Sequence, residues 1–282
     1  MTVQPATAPT APASPTAPAS RGSLRSVLRF LTRSGSVQVL SVVVLLLIWT
    51  AVSSVTHKLV LPSPLEVFQA WLRIMASGEL PTALALSIEA LAIGLAAALV
   101  VGITIGVTMG WFRRVGRVAD TVLSLALVIP MVGLIPTLVV VFGLGVQVRI
   151  AAVFLFAVPT VVINSFAGTR SVDRKLIEMA QSFGTPDRHM LLEIFLPAAM
   201  PGIAAGVRLG IGRAVVGMVT AELLIVSAGI GLLIQRYTGY FLTAELYATI
   251  LSILVLGIVL ASIGRRIERR VMRRHGRVSA FG

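Results

Sequence analysis

Cysteine is absent from the 282 residues of the chain. This absence excludes disulfides, thiolate-bound zinc, iron–sulfur clusters and a cysteine nucleophile. Charged residues are scarce too, at 12% of the chain against about 25% in an ordinary soluble domain. Because 56% of the residues are hydrophobic, there are too few polar side chains to cover a soluble core of this size. The composition therefore predicts one polytopic helical membrane domain.

Aromatic residues are few as well, at 6% of the chain, and acidic residues number 11 against 24 Lys plus Arg. A net charge of +13 is typical of nucleic-acid binding when the basic residues form a stripe interleaved with aromatics. Here they lie almost entirely between long apolar runs, where they set the orientation of a membrane protein. We therefore expect contact with membrane lipid and no nucleic-acid partner.

The amino-terminal residues 1–20 contain five prolines, no charge and almost no bulky apolar side chain. Such a segment buries too little apolar surface to offset its chain entropy, so we predict a disordered tail. It differs from a signal peptide because its nearest basic residues follow it. We therefore place a Pro/Ala/Thr-rich tail and a basic cytoplasmic segment in residues 1–33.

Six apolar windows reach the length of about 20 residues that a helix needs to cross the hydrocarbon core of a bilayer. The third window is long enough for a kinked span plus a turn, and the fifth carries three charged residues inside it. The predicted fold is therefore all-α and integral to the membrane, with six transmembrane helices over residues 34–265. The windows are 33–58, 79–113, 120–149, 149–170, 201–226 and 245–265.

Lys and Arg residues accumulate in alternate connections between these windows. With the amino terminus in the cytoplasm, eighteen of them fall inside and four fall outside, and such an excess marks the cytoplasmic side. We therefore predict that both termini are cytoplasmic and that residues 266–282 form a basic cytoplasmic tail. The four outside residues are Lys58, Arg73, Arg149 and Arg236.

Small residues spaced four apart mark the second and fifth windows. Such rows let helix backbones approach each other closely, so we expect these two helices at the centre of the bundle. The rows include Gly102, Gly106 and Gly110 in the second window and Gly202, Gly206 and Gly210 in the fifth.

The connection over residues 170–201 differs from the other links in length and composition. Loops this long usually carry structure or function. Gly184 fits a helix end with φ > 0, while Thr185, Pro186 and Asp187 fit the N-cap and first turn of a second helix. Before Gly184, helical spacing predicts a short amphipathic helix. Its apolar face comprises Leu176, Ala180 and Phe183, opposite Arg174, Glu178 and Gln181.

The stretch EMAQSFGTPDRHMLLEIFLP, from Glu178 to Pro197, resembles the EAA motif of binding-protein-dependent ABC import permeases. That motif reads Glu-Ala-Ala, three residues, Gly, nine residues, Ile, one residue, Leu-Pro. Only Met179 departs from it, where the family usually has Ala. The resemblance covers nearly the whole chain from about Ser34 to Arg265.

Two further stretches are similar to the branch of that family that imports nitrate, sulfonates, taurine and related small molecules. They are IPMVGLIPTLVVVFGLG, over Ile129–Gly145, and RAVVGMVTAELL, which begins at Arg213. The resemblance implies a type I ABC importer permease fold with a cytoplasmic coupling helix, in a bacterial cytoplasmic (inner) membrane. It also implies a homodimer, two copies of a cytoplasmic ABC ATPase and an extracytoplasmic substrate-binding protein. Residues 170–200 would be the EAA or coupling loop, with ATPase-coupling residues Glu178, Ala180, Gly184, Ile194, Leu196 and Pro197.

The sequence contains no GxxxxGK[ST] loop, so it shows no phosphate cradle for ATP. We therefore expect a transport subunit rather than an enzyme, with no cofactor of its own and with ATP and Mg²⁺ on the partner ATPase. A helix tied to the fifth span would act as a lever, because a partner that moves it would move a transmembrane helix. The alternative is a loop helix that lies in the lipid interface without a partner.

Ionisable residues inside spans are costly and usually face a bundle interior or a water path. Glu222, Arg213 and Glu89 are therefore candidates for the translocation path. Pro130 and Pro136 are further candidates, because a proline removes a backbone donor and favours a kinked helix. The alternatives are an ion pair of either acid with Arg213, a position of the acid near the outer interface, and snorkelling of Arg213 toward the cytoplasm.

The leading hypothesis is the permease subunit of an ATP-driven importer for a small solute such as a sulfonate, taurine or nitrate. The alternative is a secondary transporter or channel that works without an ATPase, whose signature would be two similar halves with midplane charge pairs. A membrane enzyme would need clustered His, Asp or Glu at a cytoplasmic face. The sequence shows neither signature, and its three histidines have no metal-binding spacing, so no metal site is expected.

Overall fold

A computed structural model describes residues 34–57, 59–112, 115–116, 129–225 and 228–275. Every regular element in these ranges is helical. The predicted tail in residues 1–33 lies outside the described residues, as do residues 276–282. The elements are α1 (Ser34–Val55), α2 (Pro64–Ala76), α3 (Glu79–Trp111), a 3₁₀ turn (Met131–Leu134), α4 (Ile135–Phe142), α5 (Val146–Arg170), α6 (Arg174–Ser182), α7 (Asp187–Ile225), α8 (Ile230–Gly239) and α9 (Thr243–His275).

Helix α1 belongs to a unit of its own, residues 1–55. Its 22 residues carry no charge, and its apolar part is Val39–Val55. In lipid a helix of this composition satisfies all its backbone polar groups internally. The first predicted window therefore does form an apolar helix.

The second unit, residues 56–282, holds four helices that are long and apolar enough to cross a membrane, namely α3, α5, α7 and α9. The chain is therefore a multi-pass membrane protein. The third predicted window falls partly on residues 117–128, outside the described residues, and its described remainder contains the shorter apolar helix Met131–Phe142. Helix α9 continues to His275, past the predicted boundary between residues 265 and 266.

Helices α3 and α7 both pack their small residues against α5. A Cβ added to Gly102 of α3 would lie 2.8 Å from the Cβ of Val161, and one added to Gly168 of α5 would lie 2.8 Å from the Cα of Gly202 in α7. Only residues without a larger side chain allow such an approach of two helices. The glycine rows thus pack closely, as expected, but both face α5, which the prediction did not place at the centre.

Helices α3 and α5 run parallel to each other. Gly94 lies against Val153, and twelve residues later Gly106 lies against Ser165. By contrast, α7 is antiparallel to α5, because Gly202 of α7 packs on Gly168 near the end of α5, whereas the later Gly217 packs on Phe156 nearer its start. The end of α3 and the start of α5 therefore lie at opposite ends of the bundle.

The end at which α3 begins is called the Glu79 end below, and the end at which α5 finishes is called the Arg170 end. Helix α2 packs on α9 near the Glu79 end, where the Trp71 indole N–H donates to Ser252 at 3.2 Å. A capping box between Ser63 and Glu66 starts α2. Helix α6 lies at the Arg170 end.

The prolines of the third window mark the beginning of elements. Pro130 is the N-cap residue of the 3₁₀ turn, and Pro136 lies in the first turn of α4. A first turn leaves its N–H groups without intrahelical acceptors, so proline removes no hydrogen bond there. These two prolines therefore lie at helix starts in place of the predicted kinks inside a span, whereas Pro159 is inside α5.

Candidate coupling segment and buried charge site

The candidate coupling segment, residues 170–200, lies at the Arg170 end and is called the segment below. Its first helix is α6, which is capped by the side chain of Asp173. This carboxylate accepts a hydrogen bond of 2.9 Å from the backbone N–H of Lys175. Ala180 is buried, while Glu178 is exposed and pairs with Arg174 at 2.8 Å. Both members of the pair are more than half exposed, so the pair adds little stability and leaves the carboxylate accessible.

Helix α6 ends in a Schellman motif built on Gly184. The N–H of Gly184 donates to the carbonyl of Gln181 at 2.9 Å, and the N–H of Thr185 donates to the carbonyl of Ala180 at 3.1 Å. Gly184 has a φ of +68°, and a Cβ there would meet nothing within 4 Å. The predicted left-handed conformation is confirmed, and the glycine is required by the backbone rather than by packing.

The chain then restarts as α7. Pro186, rather than the predicted Thr185, occupies the N-cap position, and Asp187 lies in the first turn, where the helix dipole favours a carboxylate. From Asp187 to Ile225 the helix continues over 39 residues. The part of the segment that follows Pro186 and the fifth predicted span therefore belong to one helix.

A π-helical stretch interrupts the α-helical hydrogen bonding of α7 at Met190–Phe195. The N–H of Leu196 donates to the carbonyl of Leu191, five residues back. Pro197 has no N–H, so the carbonyl four residues before it lacks its usual donor. The widened turn accommodates this missing bond. The half-buried motif residues Ile194, Leu196 and Pro197 therefore lie where the helix changes type.

The turn between α6 and α7 exposes apolar side chains. Phe183 is 83% exposed and Met179 is 54% exposed. Leu176, Ala180 and Phe183 were predicted to share the apolar face of α6. The helix ends at Ser182, and Ala180 is buried whereas Phe183 lies exposed beyond the end of the helix. Exposed apolar groups beside charged ones mark a surface that binds a partner or lipid.

Two contacts hold α7 to neighbouring helices, one within the segment and one just after it. The rings of Phe195 and Trp111, the last residue of α3, meet edge to face at 5.1 Å between centroids. Arg208 of α7 pairs with Glu268 of α9 at 2.9 Å. The segment is therefore anchored at its base and exposed at its turn.

The Glu79 end contains a buried charge site centred on Glu222, which lies in the last turn of α7 and is 1% exposed. Its carboxylate accepts hydrogen bonds from the Ser87 hydroxyl at 2.8 Å and from the backbone N–H of Gly231 at 3.1 Å. The Arg149 guanidinium of α5, itself 4% exposed, lies 3.4 Å from the other carboxylate oxygen. A carboxylate buried this deeply requires such partners.

The buried charge site also caps the start of α8. The first N–H groups of a helix have no acceptor inside it. Here the N–H of Ile230 donates to Ser87 at 3.0 Å, and that of Gly231 donates to Glu222. A Cβ on Gly229 or Gly231 would collide with Glu222. The site therefore joins α3, α5, α7 and α8 without space for larger side chains.

Arg149, not Arg213, is the partner of Glu222. Arg213 lies exposed on α7. Sequence reasoning assigned Arg149 to an outside loop because it used charged residues as span boundaries, yet α5 begins at Val146 and includes it. The available signal was an arginine and a glutamate at the facing ends of two consecutive antiparallel spans.

The other path candidates lie apart from this site. Glu89 is exposed on α3 and Arg213 on α7, and no ion pair of either is found within the described ranges. Pro130 and Pro136 are both exposed beside the 3₁₀ turn. The structure places these residues on several elements and shows no contact that joins them in the part of the chain that it describes.

Known proteins resemble this chain over most of its length. Residues 98–273 match the family model described as binding-protein-dependent transport system inner membrane component. SsuC of Escherichia coli strain K12, named as an aliphatic sulfonates transport permease, is 33% identical over 79% of this chain and 86% of that protein. TauC of the same strain, a taurine transport system permease protein, is 29% identical over 88% and 93%.

The fold also matches a solved structure. A chain of the MetNI methionine ABC transporter, in an inward-facing conformation, superposes with a TM-score of 0.54 and 19% identity. The match covers 66% of this chain and 93% of that chain, and at this identity it speaks for the fold alone. The family model spans well over half of the chain, including the segment and, in the buried charge site, Arg149 and Glu222. The chain therefore belongs to the family of binding-protein-dependent transport system inner membrane components, which are ABC transporter permeases.

Proposed function

We propose that the chain is the permease subunit of an ATP-driven importer, which forms the path for a small solute across a bacterial cytoplasmic membrane. The observation that carries this proposal is the single helix from Asp187 to Ile225, which joins the EAA segment to a span. Relatives named for aliphatic sulfonates and taurine support a small sulfonate, taurine, nitrate or similar solute. A separate ATPase supplies the energy, because the sequence has no GxxxxGK[ST] loop.

In this proposal the ATPase docks on the segment at the Arg170 end. Glu178 offers an accessible carboxylate, Phe183 an exposed apolar ring, and Gly184 sets the angle between the two helices. Because α7 continues into a span, a displaced segment tilts that span and opens the path to the two sides in turn. The proposed coupling residues are Glu178, Ala180, Gly184, Ile194, Leu196 and Pro197.

The proposed topology has six spans with both termini in the cytoplasm. The parallel course of α3 and α5 supports it, because the end of α3 and the start of α5 lie at opposite ends of the bundle. The third predicted window, residues 120–149, supplies the proposed span between them. With α1 ahead of α3, the count is six and the Arg170 end is cytoplasmic. The excess of Lys and Arg in the cytoplasmic connections supports this orientation.

The complete importer holds two copies of the permease, two ATPase subunits and a binding protein that delivers solute at the Glu79 end. Exposed ionisable residues on the spans support a path between two copies, since Glu89 and Arg213 are unfavourable against lipid. We place these two residues along the path. Glu222 instead positions α8, because its carboxylate bonds to Ser87, Gly231 and Arg149 of the same subunit.

Retention of the ATPase on the purified permease tests the proposal. Glu178→Lys reverses an exposed charge, and Gly184→Val strains the turn where a Cβ costs about 1–2 kcal/mol. Both variants should insert normally and lose the ATPase, or hydrolyse ATP without uptake. The control is Gly143→Val, away from the segment, whose glycine has equally open surroundings and a φ of +73° with a ψ of −170°, so a side chain there is strained at least as much. Full retention and full uptake in Glu178→Lys and Gly184→Val alike would rule out the coupling role and favour a transporter that works alone.

A further inference from the structure

A cleft opens at the Glu79 end, between the start of α3 and one side of α8. Its volume is about 520 Å³, which suits a small solute. Its lining combines the charged side chains of Glu79 and Arg236 and the hydroxyl of Thr82 with apolar residues such as Leu86 and Leu232. The cleft therefore offers both signs of charge on an apolar base.

The two charged side chains of the cleft are only loosely bound to each other. An Arg236 nitrogen lies 3.7 Å from a Glu79 carboxylate oxygen, and each side chain is 45% exposed. At this distance the contact is too long for a good hydrogen bond. The Tyr237 hydroxyl donates to the same oxygen at 2.7 Å, and burial together with the Glu79 carboxylate raises the pKa of Tyr237, so this donor stays protonated. Both charges thus retain bonding capacity toward a ligand.

The cleft rests on the buried charge site. Leu86 lines it, and the carbonyl of Leu86 accepts a hydrogen bond from Arg149 at 3.2 Å. Gly229 also lines it and lies directly against the Glu222 carboxylate. A wall held by these bonds is preorganised, and a preorganised site loses less conformational entropy when it binds.

We propose that this cleft binds a small zwitterionic solute, with the oxyanion of the solute on Arg236 and its ammonium group on Glu79. The proposal rests on the proposed import function, in which solute enters at the Glu79 end. It narrows the substrate class to molecules that carry both charges a few carbon atoms apart. Arginine presents several donors in one plane to an oxyanion, and a carboxylate accepts from an ammonium group.

The pairing of charges distinguishes a zwitterion from a simple anion. An anion bound to Arg236 would lie close to the Glu79 carboxylate and be repelled by it. An ammonium group on the same molecule converts that repulsion into attraction. The cleft should therefore discriminate between two solutes that differ only in this group.

Competitive binding tests this expectation. The full-length permease with its ATPase partner is placed in lipid nanodiscs, and labelled taurine competes with ethanesulfonate, which has the same oxyanion without the ammonium group. We expect taurine to bind at least about tenfold more tightly, as for one added hydrogen bond between charged groups. Glu79→Gln should remove this preference without weakening ethanesulfonate, and Arg236→Gln should weaken both ligands.

Glu245→Gln is the matched control. Glu245 pairs with Arg73 at 2.8 Å near the same end and does not line the cleft, so this variant should retain the preference for taurine. Ala228→Trp leaves both charges in place and fills the cleft, so it should block both ligands. Equal binding of the two ligands to the wild type, equal effects of Glu79→Gln and Glu245→Gln, or undiminished binding to Ala228→Trp would overturn the assignment.

Uptake by the wild-type complex in vesicles is measured in parallel, so that the two proposals fail separately. ATP-driven uptake without charge preference at the cleft overturns the cleft proposal alone. Charge-selective binding at the cleft without any ATP-driven uptake overturns the proposed import function alone.

Discussion

The buried charge site at the Glu79 end and the segment at the Arg170 end differ in the burial of their polar side chains. At the Glu79 end, Glu222, Ser87 and Arg149 bond to one another and to the backbone in almost complete burial. At the Arg170 end, Glu178 and Phe183 are exposed, and the hydrogen bonds that shape the turn are formed by the backbone at Gly184. A site that satisfies its own groups holds its geometry alone, whereas an exposed apolar and charged surface gains from a partner. We therefore expect the buried charge site to position helices within the subunit and the exposed segment to bind a partner.

The largest expected effect comes from opening the buried charge site. Glu222→Ala leaves the Arg149 guanidinium buried without its counter-charge, a change that costs about 3–5 kcal/mol in measured cases. We expect a strong fall in the Tm of the purified permease and in the amount of folded protein in the membrane. Thermal unfolding in detergent solution measures the first, and quantitative blotting measures the second.

The control for this prediction is the double variant Arg149→Met with Glu222→Met. It removes both charges and replaces them with apolar side chains of similar length, so it should recover part of the lost stability. An unchanged Tm in Glu222→Ala would contradict the view that the site positions α8.

Two glycines with positive φ, one at each end, provide the next test. Gly184 has a φ of +68°, where a Cβ costs about 1–2 kcal/mol. Gly229 combines a φ of +81° with a ψ of −163°, a conformation almost confined to glycine that costs about 1–3 kcal/mol for other residues. At Gly229 the new Cβ also collides with the Glu222 carboxylate, whereas at Gly184 it meets nothing within 4 Å. We therefore expect a clearly larger fall in Tm for Gly229→Ala. Equal falls would show that the buried site yields as easily as the exposed turn.

The smallest expected effect on stability comes from the exposed aromatic of the segment. Phe183→Ser should change the free energy of unfolding by no more than about 0.5 kcal/mol, because the ring is 83% exposed. It should nevertheless reduce the amount of ATPase that copurifies. Phe241→Ser, at an exposed phenylalanine away from the segment, is the control and should retain the ATPase. Equal retention in both variants would remove Phe183 from the docking surface.

The backbone of the segment could be predicted from sequence because its signals are local. The φ of Gly184 follows from a Schellman motif whose two hydrogen bonds join residues three and five positions apart. The exposure of Phe183 has an equally local cause, because the helix ends one residue before it. Helical periodicity alone does not fix that end.

The buried charge site could not be derived in the same way. Arg149 and Glu222 are separated by 73 residues and meet only because α5 and α7 pack in one register. That register depends on the contact of Gly168 with Gly202, which no local pattern specifies. Glu222 was recognised as a costly buried acid from its position in an apolar span, but its partner depends on tertiary packing.

In the proposed mechanism, movement of the exposed segment drives α7. The most direct measurement is the number of solute molecules taken up per ATP hydrolysed, in vesicles that contain the complete importer. In Gly184→Val complexes that still hold the ATPase, we expect ATP hydrolysis to continue while this ratio falls toward zero. We expect Gly143→Val to keep the wild-type ratio. A wild-type ratio in Gly184→Val, with hydrolysis and uptake intact, would contradict the account.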